Sequence, residues 1–219
     1  MGTPSDDELI ALAGRIGCAP IVDALGVRHR HRSHLHDLVA PAPGRRLTGP
    51  VMTMRFLPLR RDLVDPGRHD FAALLAAAAE SRALDGMVLV CAADDPEQAV
   101  AGGKKLARLR SLGLGGLVTD GRVRDFAEAS EMGLAVWCRG EAVRNANDVL
   151  MAWETGVAVS LAGTAVAPGD WIHADASGAV VIPGNDVAGV LAEAAAIVER
   201  DAAQVARMRG DDATRARRG

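Results

Sequence analysis

The amino-acid sequence predicts a single α/β domain, and three observations carry that expectation. The chain has 219 residues of which 49% are hydrophobic, enough to bury one substantial core. Residues 86–92 (GMVLVCA) are too few for a helix and too apolar for a sheet edge, so they read as a central strand buried on both faces. Residues 101–125 (AGGKKLARLRSLGLGGLVTDGRVRD) read as helix, strand, tight turn and the start of another helix, the alternation from which α/β layers are built.

Taken in order, residues 6–16 form an amphipathic helix capped by Ser5, with Asp6, Asp7 and Glu8 in the first turn where the helix dipole favours acids. Pro20 opens a second helix through Ala24 and Leu25, which Gly26 closes. The following run from Arg28 to His36 places four of the six histidines within eight residues. Imidazoles so spaced can bind a transition metal, but the interleaved arginines repel a cation and no cysteine or carboxylate stands among them. A solvated or subunit-contacting loop is the expected outcome. Residues 41–50 make a turn-rich connection, and residues 51–57 alternate as a strand, with Val51, Thr53, Arg55 and Leu57 on one face and Met52, Met54 and Phe56 on the other.

A polar loop around Arg60, Arg61, Asp62 and Asp65-Pro66-Gly67 leads to an alanine-rich helix over residues 71–83. Beyond the central strand, Asp94-Asp95 reads as an acidic turn capping a helix from Pro96 onward. Leu106, Leu109 and Leu112 then recur at helical spacing and Gly113 stops the helix. Residues 114–119 are an apolar strand, Asp120-Gly121 is a turn, and Arg124-Asp125 falls where Phe126, Ala127 and Ala129 begin a new helical pattern. A guanidinium and a carboxylate thus stand side by side at a strand end and a helix mouth, where α/β proteins place chemistry. By itself such a pair is equally well a surface ion pair.

Residues 134–138 form a further strand and residues 139–147 a polar loop with two amides. Residues 157–161 and 164–166 are strand-like around Gly163, Pro168-Gly169-Asp170 turns into Trp171-Ile172-His173, and Ala176-Ser177-Gly178 is a hairpin turn into residues 179–182. A long helix over residues 186–208 carries Val187, Val190, Leu191, Ala194 and Val198 on its apolar stripe. The domain is expected to span residues 1–209, followed by a disordered tail over 210–219 that lacks large apolar side chains.

A net charge near -3 gives no general attraction to nucleic acid or membrane, and no stretch approaches the length of a membrane span. The opening MGTPSDDELI lacks the basic and then apolar run that secretion requires, so a cytoplasmic protein is expected. Cys18, Cys91 and Cys138 are far apart with no C-x-x-C, which predicts buried free thiols.

Residues 115–125 (GGLVTDGRVRD) resemble the G-x-V-x-D-G-x-x-R-D signature of the RraA-like family, which includes 4-hydroxy-4-methyl-2-oxoglutarate (HMG) aldolases and regulators of RNase E activity. Pro168-Gly169-Asp170-Trp171, Ala174 to Gly178 and Val180 to Pro183 are similar to its later block, while Asp23-Ala24-Leu25 and the run from Leu47 to Thr53 are similar to its earlier segments. The resemblance implies a compact domain with a central, barrel-like β layer sandwiched by helices, of the swivelling β/β/α type, assembled as trimers or pairs of trimers with sites at subunit interfaces. It further implies a metal-dependent lyase that cleaves or decarboxylates a small 2-oxo acid through the enolate of pyruvate. Arg124 would grip the substrate carboxylate, Asp125 would hold Mg²⁺ or Mn²⁺, and the backbone of Gly102, Gly103 and Lys104 would bind the same carboxylate. The strand over residues 86–92 would lead toward the substrate-holding loop at Asp94-Asp95.

The family's aldolases also carry an acid twenty-one positions before the arginine, and here that position is Gly103, followed by Lys104 and Lys105. The lost acid is expected to weaken protonation of the enolate or to change the reaction supported. Lys104 could bind a second carboxylate, partly replace a metal, form a Schiff base with a lowered pKa, or simply be solvated. An acid from a neighbouring subunit, Glu193 or Glu199, is a further candidate implied by the resemblance. Three functions stay open: the lyase, a diverged enzyme recruited to a specialised pathway with another substrate, and a non-catalytic binding protein like the RNase E regulators.

Overall fold

The computed structural model describes residues 4–94 and 97–216. Its frame is a mixed sheet in the order β1-β12-β11-β2-β3-β5-β7, with β8 also paired to β2. The pivot is β2 (Leu47–Pro58), whose first half lies antiparallel to β11 (Trp171–Asp175) and whose middle lies parallel to β3 (Val88–Ala92). Its end pairs antiparallel with β8 (Leu150–Thr155), with a bulge between Arg55 and Phe56. Next to β3 come β5 (Gly116–Thr119) and β7 (Ala135–Trp137), both parallel. On the other side β11 makes a hairpin with β12 (Gly178–Ile182), which carries β1 (His34–Leu35) at its edge.

The sheet almost closes on itself. Val39, just after β1, exchanges both backbone hydrogen bonds with Cys138 at the end of β7, at 2.7 and 3.0 Å. This is the barrel-like β layer expected, and it sorts the core by strand alternation. Val51, Val88, Val90, Val118, Trp137 and Ile172 fill the inside. Met52, Met54, Leu89, Cys91, Leu117 and Val136 point outward beneath α3 (Phe71–Ser81), α4 (Gly103–Ser111) and α5 (Phe126–Glu131). A separate apolar layer joins β11 and β12 to α1 (Asp6–Ala13), α2 (Cys18–Arg28) and α6 (Val187–Ala216). The three cysteines are free and buried, as expected.

Several elements follow their local signals closely. Ser5 and Glu8 form a reciprocal capping box at α1. Asp70 caps α3 by accepting from the N–H groups of Ala72 and Ala73 at 2.8 and 3.0 Å. Gly113 takes a left-handed φ of 78° after α4.

Other expectations need correction. Helix α1 stops at Ala13, short of Ile16, and α2 runs through Gly26 to Arg28 because its buried face packs on α6, which outweighs glycine's weak helix preference. Strand β2 begins at Leu47 rather than Val51. Thr48-Gly49-Pro50 looks like a turn, but Gly49 is a close approach: a side chain there would meet the Gly86 carbonyl oxygen at 2.6 Å. Of the expected turn and helix after β3, Asp95 and Pro96 lie outside the described residues, and the chain goes on as a turn into β4 (Ala99–Ala101), with the helix starting only at Gly103. The short β6 (Arg122–Val123), which pairs with β4, and strand β8 were not foreseen. Helix α6 continues past Met208 to Ala216.

The histidine-rich run divides between two structural roles. His29 and Arg28 both bind Asp186 at the start of α6, His29 at 2.8 Å and Arg28 at 2.7 and 2.6 Å, while His34 enters the sheet as part of β1. A second hairpin, β9 (Val159–Leu161) with β10 (Thr164–Val166), covers one end of the barrel. Asp120 fastens it there, accepting from Ala93 N–H at 2.8 Å and from Ala162 N–H at 3.3 Å. Burial pushes its carboxyl up in pKa, against the pull of those N–H groups.

On the opposite side Asp175 joins the hairpin of β11 and β12 to α2, accepting from the N–H groups of Cys18 and Ser177 at 3.0 and 2.8 Å. Burial opposes its ionisation, but these N–H groups hold its pKa below the usual value. The fully buried His173 beside it shares a 2.8 Å hydrogen bond with Thr48 Oγ1 through Nδ1. Burial depresses its pKa below 6.5, with Asp175 opposing the shift. The unfolded chain therefore binds the extra proton more readily than the native state, and stability falls as pH drops below that ordinary value. Chemical denaturation between pH 7.5 and 5.5 should show a slope of up to about 1.4 kcal/mol per pH unit from this one group, and a smaller slope in His173→Gln.

Candidate active site

The turn chemistry of residues 101–125 brings two chain segments together in parallel. Strands β4 and β6 pair there, and Arg124 N–H donates to the Ala101 carbonyl at 3.0 Å. Each strand is followed at once by a helix, so Gly102 and Gly103 at the start of α4 face Arg124 and Asp125 at the start of α5. A cavity of about 440 Å³ opens between them, lined by Gly102, Gly103, Lys104, Arg124, Asp125 and Glu128 among others.

The glycine pair lets the acidic and basic side chains lie directly on backbone. A side chain at Gly102 would meet Arg124 Cβ and Nε at 3.3 Å and Asp125 Oδ2 at 3.5 Å. One at Gly103 would meet Glu128 Oε1 at 2.6 Å and Oε2 at 2.9 Å. The Glu128 carboxylate therefore occupies the space that a side chain at position 103 would enter. An acid is present where the expected one is missing, delivered from the first turn of α5 across the cavity. Sequence reasoning missed Glu128, although it lies three residues after Asp125, the spacing that returns a helical side chain to the same face.

Asp125 has a left-handed backbone, with φ 62° and ψ 52°, at the N-cap position of α5, yet its side chain makes no capping hydrogen bond. Glu141 Oε1 does that work instead, accepting from Phe126 N–H at 2.9 Å. A helix-start acid whose capping role is filled by another residue is left to face the cavity. Its contact with Arg124 Nε is long, 3.9 Å, and both side chains are close to half exposed. A committed surface ion pair would be shorter and fork-shaped, like Arg28 with Asp186. Helix α4 likewise has no side-chain cap and no acid of its own in its first turn, so its N-terminal end beside Arg124 favours negative charge, and the Glu128 carboxylate lies there against Gly103.

The two adjacent lysines have different surroundings. Lys104 is exposed at the rim of the cavity. Lys105 is the one withdrawn from water: its Nζ donates to the Val100 carbonyl at 2.8 Å and sits 4.7 Å from the centre of the Phe71 ring. Burial lowers its pKa. The environment imagined for Lys104 thus belongs to its neighbour, because the side chain at 105 turns toward α3 and the sheet. Glu193 and Glu199 are on α6, which packs in the layer with α1 and α2, and Glu193 is engaged by Arg200 at 3.1 Å. The structure does not bring them to the cavity within one chain.

The carboxylates of Asp125 and Glu128 both line the cavity, accept no backbone or guanidinium hydrogen bond among the described residues, and offer only oxygen donors. Hard divalent cations such as Mg²⁺ and Mn²⁺ suit such a set, with water completing the coordination. A second group of possible ligands, Cys18, His173 and Asp175, is buried below α2 and has its carboxylate engaged by backbone N–H groups.

The sequence pattern of the RraA-like family, described as Aldolase/RraA, matches residues 18–181. A protein of Halalkalibacterium halodurans provisionally named a 4-hydroxy-4-methyl-2-oxoglutarate aldolase is 30% identical over 154 residues, spanning 68% of this chain and 72% of that protein. One of Burkholderia multivorans with the same provisional name is 39% identical over 83 residues, 38% of this chain and 50% of that one. Among solved structures, Streptomyces coelicolor RraAS2, described as an unusual member of the RNase ES inhibitor RraA protein family, superposes with a TM-score of 0.77 at 27% identity, covering 95% of this chain and all of that one.

Proposed function

The chain belongs to the Aldolase/RraA family, and from that premise we propose that it is a divalent-metal-dependent carbon–carbon lyase acting on a small 2-oxo acid. The observation that carries the reading is the pair of acids, Asp125 and Glu128, resting on Gly102 and Gly103 beside Arg124. The reaction class is aldol cleavage of a 4-hydroxy-2-oxo acid or decarboxylation of an oxaloacetate-like acid. In either case the electron pair of the broken bond stays on C3 and gives the enolate of pyruvate.

Arg124 would bind the substrate carboxylate with its planar fork, and the N–H groups at the start of α4, around Gly103 and Lys104, would bind its other oxygen. Asp125 and Glu128 would hold Mg²⁺ or Mn²⁺, which supplies a Lewis acid for the 2-oxo oxygen when bound. Glu128 also takes over the part of the absent acid at position 103, orienting the water from which C3 receives its proton. Lys104 at the rim adds positive charge for an anionic substrate. Because Glu128 supplies an acid within one chain, no carboxylate from Glu193 or Glu199 of a neighbouring subunit is required. A cytoplasmic homotrimer or hexamer completes the proposal; no single described helix is long and apolar enough to cross a membrane.

Pyruvate release from oxaloacetate and from 4-hydroxy-4-methyl-2-oxoglutarate tests this directly. Turnover is expected with Mg²⁺ or Mn²⁺, should vanish with chelator, and should return when metal is restored. The likeness to the Streptomyces structure favours a second reading, a non-catalytic regulator of an RNase. A correctly folded protein that neither turns over these acids nor binds Mn²⁺ would select that reading.

A further inference from the structure

A second cavity, about 290 Å³, lies against the first, and Lys105 and Asn147 line both. The remainder of its wall combines the apolar side chains of Phe56, Val64, Phe71, Leu150 and Met151, among others, with His69 and Asp70. Two of its polar side chains have partners. Asp70 caps α3, and His69 accepts from Asp65 N–H through Nδ1 at 3.0 Å while stacking on Trp153 with centroids 4.2 Å apart. Lys105 is the one cation on this wall among the described residues, held by the Val100 carbonyl and facing the Phe71 and Phe56 rings at 4.7 and 5.9 Å. A substrate's second carboxylate placed here would be drawn out of water against apolar surface and near the Asp70 carboxylate, an unfavourable exchange. A hydrocarbon group would fill the same space favourably.

We propose that the second cavity receives an aryl or branched-alkyl substituent on C4 of a 4-hydroxy-2-oxo acid whose oxo-carboxylate end lies in the first cavity, with Lys105 at the shared wall donating to the C4 oxygen. This rests on the lyase reading and names its substrate class. The C3–C4 bond breaks with its electron pair on C3, the C4 hydroxyl proton passes to water as the C4 carbonyl forms, and C3 takes a proton from water. The products are pyruvate and an aryl or branched aldehyde or ketone, with no net oxidation. The lowered pKa of Lys105 agrees with a side chain standing where water is excluded.

The test compares kcat/KM for oxaloacetate, 4-hydroxy-4-methyl-2-oxoglutarate and 4-hydroxy-2-oxo-4-phenylbutanoate with Mn²⁺, using the full chain. The phenyl substrate should exceed the dicarboxylate by about tenfold or more. Val64→Trp, at a half-buried position between β2 and α3, fills the second cavity; it should lower turnover of the phenyl substrate about tenfold or more and leave oxaloacetate, which needs only the first cavity, unchanged. Leu59→Trp on the same wall provides an independent filling variant. Preference of the native chain for the dicarboxylate, or equal losses on oxaloacetate and the phenyl substrate in both filling variants, would overturn the proposal while the lyase reading stands. Absence of turnover on all three acids with Mn²⁺ bound or unbound would overturn both.

Discussion

Glu128→Ala will lower metal-dependent pyruvate release about a hundredfold, and adding Gly103→Asp to that variant will recover most of the loss. The Glu128 carboxylate stands 2.6 Å from where a Cβ at position 103 would be, so the two positions compete for one volume. Removing the glutamate side chain clears the space for an aspartate rooted on the opposite wall. Gly103→Asp alone should fold, because its clash is with the tip of an exposed glutamate that can swing aside, not with backbone. Steady-state kinetics with a Mn²⁺ titration for the four chains in the cycle checks the exchange. If Glu128→Ala keeps native turnover, or if the double variant is no better than the single, the acid is not shared between these positions.

Asp125→Asn should cost about a thousandfold in kcat and weaken Mn²⁺ binding, while leaving the unfolding midpoint within error of the native value. The dissociation of activity from stability is the informative part. Asparagine tolerates the left-handed backbone at φ 62° nearly as well as aspartate, and the capping of α5 rests on Glu141, so the fold loses little. What goes is the negative charge on an oxygen that no helix N–H holds. A large drop in thermal stability without loss of metal binding would show that Asp125 is a structural residue instead.

Lys104 and Lys105 are adjacent letters on a helix start, and nothing local says which is withdrawn from water. That depends on the Phe71 and Phe56 rings, which come from α3 and β2. Strand β8 was hidden for a related reason: LMAWET lacks a clear period, and it becomes a strand because the far end of β2 has an open edge for it to pair with.

By itself, the sequence determined what short-range physics controls. The capping box at Ser5 and Glu8, the left-handed glycine after α4, the double-sided burial of β3 and the hairpin of β11 and β12 all follow from side-chain type at fixed spacing. It also placed Arg124 and Asp125 at the mouth of a helix. Tertiary structure alone decided which groups meet across that mouth. The pairing of β4 with β6 set two helix starts side by side and brought the Glu128 carboxylate against Gly103. A carboxylate's chemistry depends on the few ångströms around its oxygens, and those are filled by residues from elsewhere in the chain.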